Sequence, residues 1–202
     1  SSSVTMFDLL KAALRQRPNY ILVGEIRGAE GNIAFQAMQT GHPVMSTFHA
    51  ANMIALVQRL SNDPINIPKT HMENLNVALF QGAVQGPGGK RVRRILSINE
   101  LLGYNPESAN IMFIPVFNWD PGTDTVKFRG KGSSALFVSK ILERRGMAKK
   151  DEGLLYEELE LRAKILEKMV EKKIFNFYDV FDSISHCREI GLDAFYKELD
   201  SL

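Results

Sequence analysis

Apolar residues recur at helical spacing near the start of the chain. They follow one another every three or four positions from Met6 to Leu14, until Pro18 interrupts the pattern. Thr5 and Asp8 have the spacing of a capping box, in which two side chains reciprocally bind the first free backbone N–H groups of a helix. The pattern therefore predicts an amphipathic helix that ends before Pro18.

A short continuous apolar run follows over residues 20–23, and residues 43–49 read as a second buried strand. Continuous runs of this length are typical of strands buried on both faces of a mostly parallel sheet. Helical spacing occupies the stretch between them, residues 29–40, which Gly41 ends, and it returns over residues 53–60. This alternation of helix and strand predicts an α/β layer.

The middle of the chain has a different pattern. Residues 76–85, 92–102, 111–119 and 125–129 are rich in β-branched and aromatic side chains. Asn-Pro and Pro-Gly turns separate the later runs, and Gly86-Pro87-Gly88-Gly89 follows the first. We expect an antiparallel section with a hairpin at these glycines.

From about residue 134 the sequence becomes rich in charge and helical in spacing. Its apolar stripe consists of Leu155, Leu159, Leu166, Met169 and Val170. The charges between Lys140 and Lys173 are mixed in sign, as on a solvated helix surface with pairs four residues apart. The sequence thus predicts two parts: an α/β domain over residues 1–130 and a helical appendage over residues 131–202.

The composition narrows the class of protein. The 202 residues are 45% hydrophobic and 24% charged with a formal net charge of +2, which suits a globular protein and gives no overall attraction to nucleic acid or anionic membranes. Cys187 is the one cysteine, so a disulfide framework is excluded and a cytoplasmic location is expected. No apolar run reaches the length of a membrane span, and the histidines are too scattered for a metal site of their own.

Charged or titratable side chains stand at the ends of both short strands. Glu25 follows the first strand and His49 ends the second. The carboxyl ends of parallel strands border the ligand crevice of an open α/β sheet, so we expect the two side chains to meet there. A carboxylate can orient water and, through water, Mg²⁺, while a histidine can contact a terminal phosphate. The alternative is a structural pair between Glu25 and Arg27 or a helix terminus.

The sequences around these two residues resemble one family. Leu22-Val23-Gly24-Glu25-Ile26-Arg27-Gly28 is similar to the Walker B strand, and Gly41 through His49 to the histidine box, of the ATPases that drive type II secretion, type IV pili and the archaeal flagellum. Residues 10–18 and 63–70 resemble the archaeal branch, in particular the archaellum assembly ATPase. The resemblance runs from Ser3 to about Arg129.

The resemblance implies a fold and a set of roles. The fold is a partial RecA-like P-loop NTPase core of the α/β class, with an antiparallel β section and a carboxy-terminal helical appendage. Glu25 is implied as the catalytic carboxylate that positions water, His49 as the sensor of the γ-phosphate, and Gly24 and Thr47 as nucleotide contacts. The implied cofactors are ATP and Mg²⁺, the metal being held through water near Glu25.

Three arginines have less defined roles. Arg27 links Glu25 to its surroundings, as part of the catalytic site or as a structural ion pair. Arg15 and Arg17 are most simply a basic helix end, which interacts favourably with the helix dipole.

A phosphate-binding loop is missing from the chain. It requires Gly-x-x-x-x-Gly-Lys followed by Ser or Thr, and neither Gly86 to Arg91 nor Gly130 to Ser133 satisfies that pattern. By resemblance, the loop lies upstream of Glu25, so we expect a carboxy-terminal fragment that binds ATP poorly and exposes apolar sheet surface or an unpaired strand edge.

The resemblance implies part of a hexameric, ATP-hydrolysing motor for filament assembly or secretion. Its implied partners are further copies of itself and a polytopic membrane platform protein, through which it would reach the membrane. One alternative is a non-catalytic module that binds neighbouring subunits or the platform. The other is a RecA-like nucleic-acid motor, for which Arg91, Arg93 and Arg94 with one nearby aromatic residue, Phe80, offer little support.

Overall fold

The computed structural model describes residues 3–201. It divides into two compact units, residues 1–136 and residues 137–202. Unit 1 combines helices with two sheets, and unit 2 is helical. The mixed α/β class, with an antiparallel section and carboxy-terminal helices, is as predicted.

The first half of unit 1 is the α/β layer. Its elements are α1 (Met6–Arg15), β1 (Ile21–Val23), α2 (Glu30–Gln39), β2 (Val44–Ser46) and α3 (Met53–Ser61). The Asp8 backbone N–H donates to Thr5 Oγ1 and the Thr5 N–H donates to the Asp8 carboxylate, which confirms the capping box. Gly41 follows α2 with a φ of 87°, a backbone conformation that glycine adopts without a steric penalty.

Strands β1 and β2 pair in parallel, with Ile21 opposite Val44 and Val23 opposite Ser46. Ile21 and Val23 are buried in the core that the helices form. The prediction that these strands are buried on both faces is wrong, because Leu22 is 72% and Met45 57% exposed. Each strand has three residues, and helices cover only the face that bears Ile21 and Val23. The apolar sheet surface expected to be exposed lies at Leu22 and Met45.

The second half of unit 1 is an antiparallel sheet in the order β3-β4-β5-β6. The strands are β3 (Val77–Gln85), β4 (Arg91–Asn105), β5 (Asn110–Asp120) and β6 (Thr125–Phe128). A 3₁₀ turn over Lys69–Asn74 leads into it, and another over Pro87–Gly89 closes the β3–β4 hairpin at the predicted glycines. Ala78, Phe80, Leu101 and Ile111 join the core of the α/β layer.

Unit 2 begins with a π-helical turn over Phe137–Ile141 and the short helix α4 (Leu142–Arg144). A 3₁₀ turn, Lys149–Asp151, precedes three longer helices, α5 (Glu152–Glu171), α6 (Phe177–Ile190) and α7 (Leu192–Ser201). Helix α7 packs against both α5 and α6. Over the described chain, no helix is both long and apolar enough to cross a membrane.

The stripe predicted for α5 is partly wrong. Leu155 and Met169 are buried, but Leu166 and Val170 are exposed, and Ile165 lies in the core instead. Ile165 and Met169 pack with Cys187 of α6 and with Phe195 and Leu199 of α7. The pattern of one helix could not show which of two adjacent apolar lines these neighbours would cover.

Candidate functional site

Glu25 lies in a short loop that hydrogen bonds fix on both sides. Thr47 Oγ1, just beyond β2, donates to the carbonyl oxygen of Gly24, and the Ile26 N–H donates to the carbonyl oxygen of Thr47 over 3.2 Å. The Ile26 side chain is buried in the core. The ends of β1 and β2 are therefore tied together, and Glu25 is held between the two bonds.

The sequence-predicted residues Glu25, Arg27 and His49 meet at this point. Arg27 Nη2 lies 2.5 Å from Glu25 Oε2, and His49 Nε2 lies 3.0 Å from Glu25 Oε1. The Glu25 side chain is 23% exposed, whereas those of Arg27 and His49 are 75% and 77% exposed. The carboxylate thus forms the base of the site, and the two nitrogen-bearing side chains stand at its open side.

The Glu25 carboxylate is stabilised in its charged form. The hydrogen bond from Arg27 lowers its pKa against an opposing effect of desolvation, and the charges of Arg27, His49 and Arg59 lower it further. The pairing also raises the pKa of Arg27, because Glu25 stabilises the guanidinium cation. At neutral pH Glu25 is consequently an anion able to accept a proton or a hydrogen bond.

One oxygen of Glu25 keeps its accepting capacity. Oε1 is buried, and among residues 3–201 it accepts no hydrogen bond, although His49 Nε2 approaches it closely. Buried polar atoms are nearly always satisfied, so an unsatisfied carboxylate oxygen in a site of this kind indicates a missing donor such as water or a ligand. Oε2 is held by Arg27, which fixes the direction in which Oε1 accepts.

Glu30 is a second carboxylate of this loop, which sequence reasoning missed. Its Oε1 accepts from the backbone N–H groups of Arg27, at 2.7 Å, and Gly28, at 2.8 Å. Burial raises the pKa of Glu30, but the backbone donors outweigh it and the net pKa is lowered. Glu30 therefore occupies the amino terminus of α2 and shapes the loop behind Glu25. The sequence did offer a signal for Glu30: it is an acidic residue in the first turn of the helix that follows Gly28, where a negative charge interacts favourably with the helix dipole.

Arg59 is the other contributor that sequence reasoning missed. From the last turn of α3, its Nη1 donates to the carbonyl oxygen of His49. Its guanidinium also lies over the Phe48 ring, 5.1 Å from the ring centroid. The backbone at His49 is thereby held from α3, and the His49 side chain takes no part in these two contacts.

The residues present fit one side of a site for ATP and Mg²⁺. An anionic carboxylate with a free buried oxygen can hold a water molecule, and the exposed nitrogens of Arg27 and His49 can face phosphate oxygens. The Thr47 hydroxyl donates to the Gly24 carbonyl, so in this arrangement it can only accept from a ligand. The nucleotide-binding roles of Gly24 and Thr47 stay predictions.

Arg15 and Arg17 lie away from these contacts. Arg15 is in the last turn of α1, where a cation interacts favourably with the helix dipole. Arg17 follows α1 with a positive φ of 50°.

Cys187 and Phe80 are buried, and Arg94 is held in an ion pair. Burial raises the pKa of the Cys187 thiol, which disfavours the reactive thiolate. Arg94 forms a two-bond pair with Asp124, at 2.8 and 2.7 Å, and Phe80 is buried, so neither is presented to a nucleic-acid strand. Within residues 3–201, no group of three or more His, Cys, Asp and Glu side chains could hold a metal ion.

Comparisons with known proteins match the amino-terminal part of the chain to one family. Residues 1–79, which include Glu25, His49 and Arg59, match the family model described as type II/IV secretion system protein. The uncharacterized protein MJ0900 of Methanocaldococcus jannaschii is 53% identical over 193 residues, which are 96% of this chain and 34% of that protein. The type IV pilus assembly ATPase PilB of Pseudomonas aeruginosa is 52% identical over 54 residues, which are 26% of this chain and 10% of PilB.

A solved structure also matches, that of the ATPase DotB of Yersinia pseudotuberculosis. It is 26% identical, with a TM-score of 0.38, over 51% of this chain and 27% of DotB. The chain thus spans about a third of MJ0900 and smaller shares of PilB and DotB. Residues 1–79, the segment that carries Glu25 and His49, are therefore similar to the secretion ATPases of type II and type IV systems.

Proposed function

We propose that this chain supplies the water-positioning side of the active site of a secretion-type motor ATPase. The observation that carries the proposal is the Glu25 carboxylate, with one oxygen fixed by Arg27 and the other buried and without a hydrogen bond among the described residues. His49 Nε2 lies 3.0 Å from that second oxygen, but the contact lacks the direction of a hydrogen bond, so Oε1 remains able to accept one.

In the proposed reaction, Glu25 Oε1 accepts a hydrogen bond from the attacking water and orients it toward the terminal phosphate. Arg27 keeps the carboxylate ionised and fixed in direction. His49, whose backbone Arg59 holds, presents its ring at the open side of the site, where it faces a phosphate oxygen. Bound Mg²⁺ would neutralise phosphate charge, and the loop that cradles the phosphates would come from outside this chain.

The same proposal covers the assembly and its location. We propose a homohexamer, in the cytoplasm, that acts on a membrane platform protein to assemble an archaellum or a related filament, or to drive secretion. The match to a protein of the archaeon M. jannaschii over nearly the whole chain supports the archaeal branch. The pilus-assembly name of PilB supports the filament role.

The test is Glu25→Gln in the full-length protein that contains this chain. We expect ATP turnover to fall at least about 100-fold, because the neutral amide cannot accept the proton of water. Binding of Mg-ATP, measured by calorimetry, should change by less than about threefold, because the phosphate cradle is untouched. Glu107→Gln, at an exposed position, is the control. Unchanged turnover in Glu25→Gln would refute the assignment.

A second measurement tests whether this chain binds Mg-ATP without the rest of the full-length protein. Because the 202 residues contain no phosphate-binding loop, we expect calorimetry on this chain alone to detect no Mg-ATP binding in the micromolar range. Micromolar binding would show that the chain holds phosphate by another route.

A further inference from the structure

Unit 2 contains a groove between α5 and α6 that the ATPase proposal does not use. Its volume is about 440 Å³, and its walls include Leu166 and Arg162 of α5 and Ile184 and Arg188 of α6. The start of α7 closes its end. The family match over residues 1–79 does not include this region, whereas the similarity to MJ0900 covers 96% of the chain.

An apolar strip on α6 continues from this groove. Phe177, Phe181 and Ile184 recur at helical spacing and are 74%, 61% and 39% exposed. The inner side of α6 packs through Cys187, so these three side chains form a second apolar face. From Phe177 to Arg188 the strip is about 16 Å long at 1.5 Å per residue, which matches about three turns of a helix laid along it.

The charges of the groove are of one sign. The two charged residues that line it are Arg162 and Arg188. Arg162 already pairs with Glu158 through bonds of 3.0 and 2.8 Å. Over the described part of the chain, no ion pair or side-chain hydrogen bond engages Arg188, which leaves one cation at the groove for an external carboxylate.

We propose that the α5–α6 groove binds an amphipathic helix of a partner protein, with its apolar side on Phe177, Phe181 and Ile184 and an acidic residue paired with Arg188. Large exposed aromatic side chains beside an arginine are typical of the centre of a protein interface. An anionic bilayer is disfavoured, because α6 also exposes Asp179, Asp182 and Glu189.

The proposal is tested with this chain and two labelled peptides of about 18 residues, since shorter peptides form helix only marginally in water. Both carry leucines along one face. One carries glutamates beside that face and the other lysines. In fluorescence anisotropy, the glutamate peptide should bind at least about tenfold more tightly than the lysine peptide, because only its carboxylates complement Arg188.

Two variants and a control locate the binding. Arg188→Glu should reverse the preference between the peptides, and Phe181→Asp should remove binding of both, with helix content by circular dichroism unchanged. Arg144→Glu, an exposed arginine of unit 2 that does not line the groove, should leave the preference intact.

Four results would overturn the proposal. The first is that neither peptide binds below millimolar concentration. The second is that both peptides bind equally and Arg188→Glu does not alter this. The third is that the chain binds phosphatidylglycerol vesicles and not the peptides. The fourth is a dimer in sedimentation that Phe181→Asp dissociates and the glutamate peptide does not, which would assign the groove to a second copy of this chain.

Discussion

The parallel pair β1–β2 and the antiparallel sheet β3–β6 each hold a shielded carboxyl group, and the two groups are held differently. Glu100, on β4, is 5% exposed, and both of its oxygens accept hydrogen bonds, Oε1 from Ser134 Oγ at 2.6 Å and Oε2 from the Leu136 N–H at 3.2 Å. Glu25 Oε1 is buried without such a bond among residues 3–201.

Glu100, with a hydrogen bond to each oxygen, has the bonding of a structural acid. Glu25, with a buried oxygen that accepts none among the described residues, has the bonding of a candidate site. The two hydrogen bonds that Glu100 accepts hold residues 134–136 against the sheet. A buried polar group that is only partly satisfied reduces stability, so it persists where it has another use. Under the proposed function, the antiparallel sheet serves as support and the chemistry lies at the ends of the two short parallel strands. Substitutions in the two regions test this distinction.

Of these substitutions, Glu100→Ala should lower the free energy of unfolding the most. It removes the acceptors of Ser134 Oγ and of the Leu136 N–H in a buried place, and we expect a loss of about 3 kcal/mol in the free energy of unfolding. Trp119, the one tryptophan, lies in unit 1, so urea unfolding followed by its fluorescence measures this loss. Glu100→Gln, which keeps one acceptor, should lose less. Wild-type stability in Glu100→Ala would show that these bonds are dispensable.

Gly31→Ala should have the next largest effect, a loss of about 2 kcal/mol in the free energy of unfolding, because the added methyl group overpacks the core. A Cβ at Gly31 would lie 2.8 Å from Ile65 Cγ2 and 3.0 Å from Ile26 Cγ2, and Ile26 anchors the loop of Glu25. In a helix this substitution ordinarily stabilises. Gly153→Ala in α5, where a Cβ would meet nothing within 4 Å, is the matched control and should stabilise unit 2. Stabilisation by both would refute close packing at Gly31.

Much of the layer that carries the site could be predicted from local signals. The capping box of Thr5 and Asp8, the end of α2 at Gly41 and the hairpin at Gly86 depend on residues close in sequence. The meeting of Glu25 and His49 followed from the rule for strand ends. In contrast, the bond between Glu100 and Ser134 joins residues 34 positions apart, and no local pattern encodes it.

Side-chain burial and orientation were the other limit. The pattern of β1 could not show that only one of its faces would be covered. Nor could the pattern of α5 distinguish the line of Ile165 from that of Leu166. Arg59 looked like an ordinary cation in the last turn of a helix, and its bond to the His49 carbonyl depends on how α3 folds back on β2. Tertiary packing decided each of these features.

Asp124→Asn should lower the stability by less, and this loss should be present at neutral pH and disappear in acid. Hydrogen bonds from Arg94 and then from Trp119 lower the pKa of Asp124 to about 2 from 3.8. A carboxyl whose pKa is depressed by folding adds stability above its unfolded pKa and loses that contribution as the pH falls toward the folded value. The variant should therefore flatten the decline in stability between about pH 4 and pH 2.

Circular dichroism is the measurement here, because the substitution also changes the surroundings of Trp119. Arg94→Gln should flatten the same pH range, since it removes the main donor to Asp124. Part of the slope should remain in both variants, because Glu158, which Arg145 and Arg162 hold at a pKa of about 2, titrates in this range in unit 2. A wild-type slope in Asp124→Asn would show that its pairing is absent in solution.

Glu25→Gln should have the smallest effect on folding and the largest on turnover. The substitution removes the attraction between Glu25 and Arg27, but it also removes a buried anionic oxygen that accepts no hydrogen bond within residues 3–201, and these changes oppose each other. The urea midpoint from Trp119 fluorescence should stay close to wild type and far above that of Glu100→Ala. A loss as large as that of Glu100→Ala would make Glu25 a second structural acid, and the ion pair with Arg27 would then explain the site without catalysis.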